Sequence, residues 1–118
     1  MNKVAIVVLA GKETHESLGR VANALEAVKE FKEAGDEVVL IFDGAGTEWV
    51  GELSKEEHLL NPLYKAVKDR VKGVCSFCAN AFGVKEEIER TGAPLLSEYD
   101  GHPSFKHLIS EGYQVITF

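Results

Sequence analysis

Cysteine is scarce in this chain: Cys75 and Cys78 are the only two among 118 residues, beside one Met, one Trp and three Pro. A bond between cysteines so close in sequence closes a tiny loop and gains little stability, which excludes the disulfide framework of small secreted domains. Their presence calls for either chemistry or plain packing. Positive charge is also short. Thirteen Lys and Arg against 19 Asp and Glu leave a net charge of −6 and a pI near 5.2. That balance argues against a nucleic-acid partner, which needs a basic face, and against an anionic membrane surface. Long apolar runs are missing as well. The run Val4–Ala10 is far shorter than the roughly 20 residues that cross a bilayer. It is β-branched and is followed by Gly-Lys-Glu-Thr-His-Glu, not by a small-residue cleavage site. No membrane partner is expected, and the cytoplasm is the expected compartment.

What is present has ordinary globular proportions, 45% apolar and 27% charged, enough for one domain over residues 1–118 with a real core. Lys3–Leu9 and Glu37–Phe42 read as buried strands, being continuous and rich in Val and Ile. Between them Leu18, Val21, Ala22, Leu25, Val28 and Phe31 recur at helical spacing, and Gly35 ends the helix. A glycine-rich turn, residues 43–47, precedes a short helix over Glu48–Leu53. Asn61 reads as the N-cap of the next helix and Pro62 as its first residue. Strand three runs from Val71 or Lys72 to Cys75, and a helical turn follows as far as Gly83. Then come a charged helix over Val84–Thr91, a brief strand at Pro94–Ser97, a helix opened by His102-Pro103 with Phe105, Leu108 and Ile109 inward, and a last strand, Tyr113–Phe118. This alternation predicts a three-layer α/β/α sandwich around a mostly parallel sheet of about five strands. Chemistry in such folds sits beyond the carboxyl ends of the strands, where the loops 10–16, 43–47, 75–78 and 97–102 arrive.

Residues 71–84 are the stretch around which the rest is organised. Cys75 falls where a strand gives way to a helix. Unpaired amides at a helix start favour a thiolate, the reactive form of cysteine, so the reading is a reactive, accessible Cys75 with Cys78 auxiliary. The alternative is a pair of buried cysteines packed as small apolar groups in a binding or assembly module. Around the cysteines the candidate rim is Lys12, His15, Asp43, Ser76 and Phe77. Trp49 and Tyr64 read as core or subunit contacts, and the helix carrying Trp49 or the short edge strands would supply a contact between copies.

Other chemistries fit less well. Cys75, Cys78, His102 and His107 have the types for a zinc site, but the gap between the pairs is too long for a zinc finger, and no metal or other cofactor is expected. Asp43-Gly44-Ala45-Gly46 follows the second strand, whereas a dinucleotide fingerprint follows the first. A Cys-x-x-Cys dithiol switch remains, although a thioredoxin-like motif follows an early strand and opens a long helix.

Val74-Cys75 followed by Gly83-Val84, the Asp43-Gly44 turn after the second strand and the closing Gly-Tyr-Gln-Val-Ile-Thr-Phe resemble the DsrE/DsrF-like family of sulfur-relay proteins. Members carry one cysteine at the end of the third strand, then a short helix ending in Gly-Val or Gly-Leu. The resemblance spans the whole chain. It implies that Cys75 holds a persulfide and passes its outer sulfur on, that the partners are sulfur donor and acceptor proteins, and that the protein is a homo-oligomer. Cys78 departs from the family pattern.

Overall fold

The two β-branched runs become the middle of the sheet. The structure is a computed structural model describing residues 1–118. Strands β1 (Lys3–Val8), β2 (Glu37–Phe42), β3 (Val71–Cys75), β4 (Leu95–Leu96) and β5 (Gln114–Thr117) form one sheet in the order β4-β3-β2-β1-β5. Every pairing is parallel. β1 pairs with β2 on one side (Ile6 opposite Leu40, Val8 opposite Phe42) and with β5 on the other.

Burial on both faces explains why β1 is apolar without alternation. Val4, Ile6 and Val8 join Leu40 and Phe42 in the larger core, under helices α1 (His15–Glu33), α2 (Trp49–Leu53), α3 (Asn61–Val67), α4 (Ser76–Ala81) and α5 (Lys85–Thr91). Ala5, Val7 and Ile41 face the other way and meet Leu108 of α6 (Phe105–Ser110). The result is the expected three-layer sandwich with one thick and one thin helical layer.

Local chemistry sets the helix ends. Thr14 caps α1, its hydroxyl accepting from the Ser17 amide at 3.0 Å, and Gly92 ends α5 at a φ of 82°. Several details differ from expectation. Leu9 lies outside β1 and turns partly outward, its amide donating to Phe118 O. Asn61 does not cap α3. Its side-chain amide is buried and donates to Leu53 O at 2.9 Å, tying α3 to the end of α2. Trp49, read as core or a subunit contact, takes the core role: it is buried, and its indole N–H is shared between Ala10 O and Gly11 O. In α6 only Leu108 is buried, while Phe105 and Ile109 are exposed, because a single short helix covers this face. That helix starts at Phe105 with Ser104 as its cap, so His102 and Pro103 belong to the loop before it.

Candidate active site

The strand order places β3 between β2 and β4, so three neighbouring carboxyl ends supply one site. Asp43 directly follows β2, Cys75 is the last residue of β3, and His102 comes from the loop after β4. Cys78 lies in the first turn of α4.

His102 is delivered by a tight hairpin. Tyr99 and His102 exchange two backbone hydrogen bonds of 2.8 Å, and the residues between them, Asp100 and Gly101, have φ of 48° and 83°. Both central residues at positive φ define the turn for which Asp-Gly is favoured. The Phe77 amide donates to Gly101 O at 2.9 Å, fastening the turn to α4. The Phe77 ring also lies against the His102 imidazole, centroids 4.8 Å apart.

These constraints bring His102 Nδ1 to 3.1 Å from Cys75 Sγ and 4.0 Å from Cys78 Sγ. The Cys78 amide donates to Cys75 Sγ at 3.4 Å. Asp43 Oδ1 accepts from the Gly44 amide at 2.8 Å, which sets the direction of its carboxylate. One donor atom from each of Asp43, Cys75, Cys78 and His102 lies within 4.8 Å of each of the others. Both cysteines are free thiols.

Burial works against the anion here. Cys75 has no exposed surface, and burial pushes its thiol up to about 12. The Cys78 amide opposes this rise, while the Cys78 side chain and the Asp43 carboxylate reinforce it. The expectation of an accessible cysteine ionised by helix-start amides is therefore corrected. α4 is only six residues long, and the Phe77 amide is taken by Gly101 O. The single amide that reaches the sulfur does not offset desolvation.

The sulfur is nonetheless close to a way in. A cavity of about 540 Å³ is walled by Asp43, His102, Pro103, Tyr99 and Phe105, so two of the four clustered side chains face it directly. A larger depression between α2 and α5, lined by Gly51, Ser54, Glu87 and Arg90, has no apolar wall and no cysteine or histidine.

Of the other candidate residues, Ser76 and Phe77 follow Cys75 directly, and Phe77 touches His102. Lys12 and His15 line a different depression with Trp49, Glu52 and His58, and Lys12 is paired with Glu52 at 3.2 Å. Tyr64 is core, buried and edge-on to Phe42. His107 is exposed beside Glu111, so the fourth donor near the two cysteines and His102 is Asp43. The sequence offered His102 only as a zinc-type residue beside His107 and as a helix opener; the signal that could have set it against Cys75 is Asp100-Gly101, a two-residue hairpin turn.

Comparison with known proteins bears on the family and the fold. The sequence is 40% identical over 87 residues to an uncharacterised protein of Methanocaldococcus jannaschii, covering 74% of this chain and 70% of that one. A conserved protein of unknown function from Bacteroides thetaiotaomicron has the same fold, with a TM-score of 0.63 over 97% of this chain and 94% of that one at 12% identity. The model of the DsrE/DsrF-like family matches residues 2–118. With that match over nearly its whole length, the chain belongs to the DsrE/DsrF-like family.

Proposed function

We propose that this protein is a sulfur carrier in which Cys75 takes up sulfane sulfur as a persulfide and relays it to a partner thiol. The observation that carries the reading is the 3.1 Å contact between Cys75 Sγ and His102 Nδ1 at the end of the third strand, in a chain of the DsrE/DsrF-like family. A thiol held neutral by burial needs a base before it can attack, and an imidazole within hydrogen-bond reach is such a base. His102 accepts the thiol proton, and the Cys75 thiolate attacks the outer sulfur of the donor persulfide. The donor S–S bond breaks, the donor thiolate leaves and is reprotonated, and Cys75 carries the new S–S bond. No net oxidation occurs. In the second half, the acceptor's thiolate attacks the outer sulfur and Cys75 leaves as its thiolate.

Cys78 supports an auxiliary role, its sulfur lying within 4.8 Å of the Cys75 sulfur. Cys78 acts only slowly, after loading and in the prolonged absence of an acceptor: its thiolate attacks the inner sulfur of the persulfide, forms a Cys75–Cys78 disulfide and expels hydrogen sulfide, so freshly loaded protein still carries the added sulfur. Two partner proteins follow from this scheme, a sulfur donor and a sulfur acceptor. The exposed rings of Tyr99 and Phe105 at the cavity, with exposed Phe77 against His102, give partners a place to dock. No helix is long and apolar enough to cross a membrane, and a reducing cytoplasm suits two free thiols. Self-association is part of the reading, through the edge strand β5, where Ile116 is exposed.

The test is intact mass after incubation of the reduced protein with a persulfide donor. One added sulfur atom is expected in the parent and in Cys78→Ser, and none in Cys75→Ser. An adduct that survives Cys75→Ser and vanishes in Cys78→Ser reverses the assignment.

A further inference from the structure

We infer that Asp43, Cys75, Cys78 and His102 also form a binding site for one thiophilic divalent cation, zinc being the ion that their donors fit. Two sulfurs, one imidazole nitrogen and one carboxylate oxygen are the mixed set such an ion takes. The four donor atoms converge within 4.8 Å. Tetrahedral zinc with bonds of about 2.0–2.3 Å holds its ligand atoms roughly 3.3–3.8 Å apart. The observed 3.1 Å and 4.0 Å from His102 Nδ1 to the two sulfurs straddle that spacing, so closing the site takes shifts of about 1 Å or less.

The cluster also differs from the acidic groupings common on protein surfaces. Asp43 and Cys75 are buried, and Cys78 and His102 are half-buried. The four come from the segments that follow β2 and β4, from the end of β3 and from the start of α4. Groups that orient the ligands are in place: the Gly44 amide on the Asp43 carboxylate, the Cys78 amide on the Cys75 sulfur and the Phe77 ring against His102. Sequence spacing hides the set, because Asp43 arrives from β2 and His102 from a hairpin. Binding displaces the two thiol protons to solvent and leaves two thiolates, a carboxylate and a neutral imidazole on the ion. The inference stands on the donor set and is independent of sulfur transfer.

It is tested on the full chain, reduced and stripped of metal with a chelator, then titrated with Zn²⁺ against a chromophoric competitor. One equivalent per chain is expected, and Co²⁺ in its place should give the strong visible bands of a tetrahedral, sulfur-ligated ion. Asp43→Asn and His102→Gln should each weaken zinc at least about tenfold, and Cys78→Ser should abolish stoichiometric binding. Thermal unfolding of the metal-free variants near the parent's midpoint shows that they fold. Zinc should raise the midpoint of the parent and not of Cys78→Ser. Less than one equivalent in the parent overturns the site. So does parent-like affinity in both Asp43→Asn and His102→Gln, which marks chelation by the two cysteines alone. Sulfur loading of the metal-free protein is read separately by mass, so failure of one reading leaves the other standing.

Discussion

At the scale of residues, the proposed sulfur uptake turns on a neutral thiol and its neighbouring imidazole. Because burial lifts the Cys75 thiol to about 12, little thiolate exists near neutral pH. Alkylation of the native protein should therefore modify half-buried Cys78 well before Cys75, with the order lost in denaturant, as peptide mapping will show. Equal native rates contradict the burial. Replacing His102 with Ala removes the base, and sulfur loading should slow by about 10²–10⁴. The pH–rate profile is the discriminating readout: loss of a base abolishes its acid limb, whereas a purely structural role lowers the rate without changing its shape. Cys75 was legible as a candidate because a β-favouring run ends on it, and Asp43 because it follows a strand that empties into glycines. The state of the thiol was not legible. It depends on how many amides reach the sulfur, and a hairpin far along the chain takes one of them.

At the scale of elements, two contacts hold the loops of the site. Gly46 presses the turn after β2 onto the end of β1, where a Cβ would stand 2.1 Å from Val8 O. Gly46→Ala should cost about 1–3 kcal/mol through that overpacking, measured by urea unfolding, and a neutral result contradicts the close approach. The thin layer hangs on one residue, since Leu108 is the buried side chain of α6. Leu108→Ala should cost about 2–5 kcal/mol and speed alkylation of Cys75, because the hairpin bearing His102 leads straight into this helix. A third contact joins α1 to the turn before β3. Lys32 Nζ donates to Asp69 Oδ1 at 2.8 Å, and that hydrogen bond holds the Asp69 carboxyl below its ordinary value. With the folded pKa below the unfolded one, the stabilisation is present above about pH 3.9 and is lost as pH falls through the folded value. The urea midpoint of Asp69→Asn should thus lie slightly below the parent's near pH 7 and converge with it in acid. Helix periods and glycine stops made these elements readable. The Asn61 cap misled because tertiary packing gives its side chain a better partner at the Leu53 carbonyl.

At the scale of the molecule, strand order decides which loops meet. Alternating strands and helices made the sandwich legible, but alternation does not fix which strand ends are neighbours. With the order β4-β3-β2-β1-β5, the loops after β2, β3 and β4 share one site. β1 is separated from β3 by β2, and Lys12 and His15 accordingly line another depression. The same order explains why a histidine 27 positions from Cys75 in sequence touches its sulfur. The most direct measurement is to load the wild-type protein with sulfane sulfur, cap every thiol and persulfide by alkylation, and locate the extra sulfur by peptide sequencing in the mass spectrometer. The account predicts it on Cys75, with alanine at position 102 reducing its yield at early times. Sulfur found on Cys78 alone, or on neither cysteine, contradicts it.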